Sequence, residues 1–137
     1  MTGGALHNKA IQFYEAMKDK ALRAILMSRL RKSYRAEGLE FFVCVMERNR
    51  IDDLVERAAA TRTIVREFLL NDAKRQVNVA SMERDRIMRA CLEEDETKIT
   101  GDDFFRVPVL DSCKELIASK EFTDLCACAP RPIAATH

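Results

Sequence analysis

An all-α fold is what this sequence predicts, and three observations carry the prediction. Turn formers are scarce: four glycines and three prolines in 137 residues, two of each near the termini. A chain so poor in chain-reversing residues does not build a many-stranded sheet. Apolar residues recur instead at the i, i+3, i+4 spacing of helical faces. Hydrophobic residues make up 47% and charged residues 33%, the balance of a folded chain rather than a disordered one.

Taken in order, Leu22, Ile25, Leu26 and Leu30 form the first clear stripe. Leu39, Phe42, Val43 and Met46 form the second, and Leu54, Ala58, Val65, Phe68 and Leu69 a longer third. Asp52 or Asp53 is expected to cap that long helix, which runs to about Leu70, by accepting from its unpaired first-turn amides. The polar stretch from Asn71 to Ala80 has no helical period and reads as a loop. Ser81 then stands where a cap is expected, although Glu83 falls one residue early for a capping box. Ile87, Met88, Cys91 and Leu92 mark the next helix. Gly101-Asp102-Asp103 interrupts the chain, and Val109, Cys113, Leu116 and Ile117 mark the helix that follows. Pro108 belongs in its first turns, where a missing amide costs little. Residues 128–137 read as a flexible tail. The length suits one domain with one core.

Several function classes lose support from composition alone. Net charge is +1, which does not suit nucleic-acid binding through many phosphates. The start, MTGGALHNKA, carries no basic region followed by an apolar stretch, so no signal peptide is expected, and no glycine follows the first Met for myristoylation. The five cysteines are odd in number, and Cys44, Cys91 and Cys113 fall on apolar helical stripes, as free thiols acting as small hydrophobes would. Cys126 and Cys128 suggest lipidation or metal binding, but no second Cys pair or nearby His completes a zinc site. Glu93-Glu94-Asp95-Glu96 lacks calcium-loop spacing and reads as solvated. His7 and His137 lie near the termini, leaving no histidine-based catalytic set. No cofactor is expected, and a cytoplasmic monomer is. Arg29, Arg31, Lys32 and Arg35 cluster at one helix end, either as solvated cations favoured by the helix dipole or as a contact for anionic lipid.

Four segments together resemble one family. SYRAEGLEFFVCV is similar to a signature in which a Ser- and Glu-rich turn leads into a helix reading Glu-Asn-Leu-Glu-Phe-Trp. IVREFLLNDAKRQVNVAS is similar to a long helix with its "EF" and following "A-x-x-x-V-N" loop. SMERDRIMRACLEE and FFRVPVLDSCKELIASKEFTDLCA are similar to the helices that follow, in the same order. The family is the regulator of G-protein signalling (RGS) domain, and the resemblance covers residues 7–127, within an expected domain of residues 5–127.

The resemblance implies an antiparallel four-helix bundle plus a subdomain of the N- and C-terminal helices. It implies binding to an activated heterotrimeric G-protein α subunit (Gα), whose switch segments the domain holds in the transition-state geometry. Gα carries its own arginine and water-orienting glutamine, so the domain would act as a GTPase activator with no catalytic residue or metal of its own. Three places would form the Gα-binding surface. The first is the turn with Tyr34, Arg35, Glu37 and Gly38, where Ser33 replaces a common acid, Arg35 a Ser and Gly38 the usual Asn. Glu37 also reads simply as a first-turn carboxylate favoured by the dipole. The second is Asn78, whose amide would reach the switch regions, or would bond its own loop backbone. The third is Leu116 with Lys120, Glu121 and Asp124, where the family's Asp and Arg four residues apart become Lys120 and Asp124, a salt-bridge spacing with the signs exchanged. That exchange raises a second reading, a non-catalytic adaptor that tethers Gα or another signalling protein. Recruitment to the inner face of the plasma membrane follows from the Gα reading.

Overall fold

The computed structural model describes the backbone of residues 2–33, 35–70 and 72–128, with side chains from Asn8 to Ala127 within those spans. Seven α-helices and no strand occur among the described residues: α1 (Thr2–Lys18), α2 (Lys20–Lys32), α3 (Glu37–Asn49), α4 (Leu54–Ile64), α5 (Ser81–Leu92), α6 (Arg106–Ala118) and α7 (Lys120–Cys128). A π-helical turn, Val65–Leu69, continues α4, and a short 3-10 turn, Glu96–Lys98, precedes α6. The all-α expectation holds. No described helix is long and apolar enough to cross a membrane. Tyr34, Asn71, the side chains of His7 and Cys128, and the expected tail beyond Cys128 lie outside the described residues.

The chain forms two compact units. The terminal unit takes its described residues from Met1–Ala36 and Cys113–His137, and the middle unit is Glu37–Ser112. In the terminal unit α1 packs on α2 and α2 on α7. Phe13, Met17, Leu26, Leu30, Ile117 and Phe122 are buried there, with the Phe13 and Phe122 rings edge to face at 5.3 Å. Ile25, expected on the inner face of α2, is 42% exposed; the buried stripe is the narrower Leu22, Leu26, Leu30. Asp19 caps α2 by accepting from the amides of Ala21 (2.9 Å) and Leu22 (3.2 Å).

In the middle unit α3 packs on α4, and α5 on the π-helical turn. Phe41, Val45, Ala58, Phe68, Ile87 and Phe105 belong to its core, with Phe41 edge to face against both Phe68 (5.5 Å) and Phe105 (5.9 Å). Asp53 is the cap of α4, accepting from the Glu56 amide at 2.9 Å. Leu54 is exposed, because at the first helical position it overhangs the face that begins at Ala58. Leu92, at the last position of α5, is exposed for the same reason. Ser81 does not cap α5: it is the first helical residue, Ala80 occupies the cap position, and no side chain bonds the first-turn amides there. Pro108 sits third in α6, where no intrahelical amide is lost.

The largest fully buried side chain is a charged one, Arg48. Its Nε donates to Thr61 Oγ1 at 2.8 Å, and its Nη2 to the carbonyls of Ile99 (2.8 Å) and Gly101 (2.9 Å). Nη1 donates to Asn49 Oδ1. The guanidinium also lies 5.3 Å from the Phe105 ring centroid. Burial, reinforced by the positive charge of Arg57 and opposed by Asp102, lowers its pKa to about 10, so it stays cationic at neutral pH.

Beside it, Arg57 donates to the carbonyls of Asn49 (2.9 Å), Ile51 (2.8 Å) and Thr100 (2.9 Å) and pairs with Asp102 at 2.7 Å. The two arginines therefore tie the end of α3 to the segment before α6. Arg48→Ala should lower stability by about 3 kcal/mol, because the Ile99 and Gly101 carbonyls each lose one of two donors, Thr61 Oγ1 loses its own, and the largest buried side chain leaves a cavity. Arg48→Lys should recover little of this, since one ammonium cannot span the four acceptors. Arg106→Ala, at an exposed position, should shift stability by less than about 0.5 kcal/mol. Urea midpoints of the three variants check the expectation.

Candidate functional site

The candidate residues divide between the two units. Glu37, Gly38 and Asn78 belong to the middle unit, and Arg35, Leu116, Lys120, Glu121 and Asp124 to the terminal one. Tyr34 lies outside the described residues.

In the middle unit Glu37 and Gly38 are the first two residues of α3, both half-buried. Asn78 is exposed in the loop between the π-helical turn and α5, and its side chain makes no hydrogen bond to a described residue. The backbone-bonding alternative for this amide is therefore not realised. Its neighbour Val77 is buried, and the Val77 amide donates to the Phe68 carbonyl at 2.9 Å. The chain thus turns one residue inward and presents the next outward, as extended backbone does.

Two residues from Val77, Arg75 reaches across the unit. Its Nη1 lies 3.6 Å from Glu40 Oε2, its Nη2 pairs with Glu67, and its guanidinium stacks 4.5 Å from the Phe68 ring centroid. Nothing local in the sequence announces Arg75, because Glu67 and Glu40 stand eight and thirty-five positions away.

In the terminal unit, α7 begins at Lys120 behind Ser119, whose Oγ accepts from the Phe122 amide at 3.2 Å. Lys120 and Asp124 are exposed and form no ion pair with each other, so the exchanged-sign salt bridge that their spacing allowed is absent. Helix physics gives the reason: a lysine in the first turn opposes the dipole, and Lys before the acid is the weaker orientation of such a pair. Leu116 is 4% exposed and packs in the core rather than presenting its side chain.

Glu121 is the engaged residue. Its Oε2 accepts from Ser33 Oγ at 2.6 Å and lies 3.3 Å from Arg35 Nη2. Its Oε1 is buried and has no hydrogen-bond partner among the described residues. The structure thus brings Ser33, Arg35 and Glu121 together and leaves Lys120 and Asp124 apart. Of the basic cluster, Arg31, Lys32 and Arg35 are exposed and Arg29 is half-buried, all in or just after the last turn of α2.

Burial raises the pKa of the free thiols of Cys44, Cys91 and Cys126, and pushes Cys113 up to about 11, the direction that disfavours the thiolate. Among the described residues no three His, Cys, Asp or Glu side chains are grouped to hold a metal ion. The chain matches no protein-family model and no curated protein.

Glu121 also gives the site a pH dependence. The bond from Ser33, then its own backbone amide and Arg35, hold its carboxyl below the usual value of 4.5. A carboxyl with a depressed folded pKa stabilises the fold above its unfolded pKa, and that contribution disappears as pH falls through the folded value. Glu121→Gln should therefore be less stable than the parent at pH 6, and the gap should close as pH falls below about 4.5. Thermal midpoints of both proteins between pH 6 and 3 check this; a gap that widens in acid would contradict it.

Proposed function

We propose that this chain is an RGS-like domain that binds activated Gα subunits and accelerates their GTP hydrolysis, acting as a GTPase activator rather than as an enzyme. The observation that carries the reading is Asn78: an exposed amide with no partner among the described residues, on a loop whose adjacent residue is anchored in the core. An amide suits contact with a switch segment, since it donates and accepts without a charge to desolvate. A second support is architectural: the N- and C-terminal helices share one unit while the middle of the chain forms another, the division the family resemblance implies. In this reading the domain contributes pre-organisation. Gα supplies the arginine and glutamine of the reaction, and the bound domain holds the switch segments where those groups act. The exposed cations Arg31, Lys32 and Arg35 would favour an anionic membrane surface close to lipid-anchored Gα.

A second reading, a non-catalytic adaptor of the same fold, is favoured by one specific observation. Glu121 is occupied by Ser33 and Arg35, and Lys120 and Asp124 offer charges opposite to the family's at that surface. Single-turnover GTP hydrolysis across a panel of Gα subunits separates the two readings. Acceleration of at least one Gα is the expected result, and binding without acceleration would select the adaptor. Asn78→Ala should reduce the acceleration by about tenfold or more with an unchanged thermal midpoint, because an exposed side chain without internal bonds contributes little to the fold. A parallel fall in midpoint and activity would assign Asn78 a structural role instead.

A further inference from the structure

The geometry points to Arg75 as the positioning residue that fixes the Asn78 loop to the first turn of α3. Every relevant contact lies within the middle unit. Arg75 stands three residues before Asn78, and Glu40 stands three residues after Glu37 in the same helix. The guanidinium spans Glu40 and Glu67, and its face covers the buried Phe68 ring. Two backbone bonds run in the same place: the Arg75 amide to the Glu67 carbonyl (3.2 Å) and the Val77 amide to the Phe68 carbonyl (2.9 Å).

Without Arg75, the loop would keep those two bonds to the π-helical turn but lose the ion pair that joins it to Glu40 of α3. With it, the segment bearing Glu37 and the segment bearing Asn78 share one cation. Two carboxylates from separate elements converge on this guanidinium, and a planar fork is the side chain that can serve both while stacking on an aromatic face. The exposed Asn78 amide then projects from a base of fixed register rather than from a free loop. As a statement about Gα binding this rests on the function proposed above; as a statement about the loop it stands alone.

Two measurements on the full chain separate those layers. The first is amide hydrogen exchange in the free protein. Arg75→Gln should speed exchange of the Arg75-position and Val77 amides about tenfold or more, while amides of α5 stay as they are. The second is GTPase acceleration titrated against a responsive Gα. Arg75→Gln should raise the domain concentration for half-maximal acceleration about tenfold, and Arg75→Lys, which keeps the charge but not the fork, about threefold. Should Arg75→Gln fail to fold, Glu40→Gln and Glu67→Gln each remove one arm of the clamp and carry the same expectation. Unchanged exchange at both amides would overturn the proposal, whatever the acceleration does. Faster exchange with no Gα responding even to the unaltered protein would uphold the clamp and defeat the Gα reading.

Discussion

Every helix ends with carbonyls that have no intrahelical donor, and where glycine is scarce those carbonyls must be satisfied from elsewhere. In this chain arginine side chains from other helices supply many of the donors. Arg23 of α2 donates to Met17 at the end of α1 (3.1 Å), and Arg57 of α4 to Asn49 at the end of α3 (2.9 Å). Arg84 of α5 donates to Leu69 where the π-helical turn ends (2.7 Å). Arg62 of α4 donates to Glu93 just past α5 (3.2 Å). The buried Arg48 does the same for the non-helical carbonyls of Ile99 and Gly101. The composition, fifteen arginines against eight lysines, suits this use of side chains, since a guanidinium reaches two or three acceptors at once and sheds its hydration more readily than an ammonium. Because each such bond joins the end of one element to the side of another, the helix ends and the packing are fixed together.

Arg75 turns the same chemistry from carbonyls to carboxylates. It meets Glu40 and Glu67 over the Phe68 ring, and the segment it holds is the loop that carries Asn78. Glu121 does the converse in the terminal unit, drawing Ser33 and Arg35 at the end of α2 onto the first turn of α7. Each of these pairs joins a partly exposed cation to a more covered carboxylate and adds only modestly to stability. Its effect is geometric, since it sets where the neighbouring side chains can point.

The helices were legible in the sequence because burial writes a periodic signal: Leu22, Leu26 and Leu30, or Ala58, Val65 and Phe68, are inner residues in both readings. The signal fades at helix ends, where Leu54 and Leu92 keep the period but lose the neighbours that would cover them. Arg48 lay off the stripe expected for α3, Leu39, Phe42, Val43 and Met46, of which Val43 and Met46 are only half-buried. It stands seven residues after Phe41 and three after Val45, on the buried face of α3, and its period alone marks it as interior. The contacts of Arg57, Arg75 and Glu121 join positions too distant in the chain for any local pattern to encode. Asn78 was found through a family resemblance and not through spacing. The structure adds only that its amide is exposed and unbonded.

The α7 charges bear on how a partner would be met. Were Lys120 and Asp124 bonded to each other, their charges would largely cancel outside the molecule, and an exchange of sign would matter little. They are exposed and unpaired with one another, while the carboxylate between them, Glu121, is turned inward. The outward field of this turn is therefore that of a separate cation and anion in reversed order. Exposed charges of this sort govern encounter rates and exclude mismatched partners more than they add affinity. A partner suited to this surface presents an acid opposite Lys120 and a base opposite Asp124. Under the proposed function, α7 would thus choose among Gα subunits, while the Arg75-held loop performs the step common to them all.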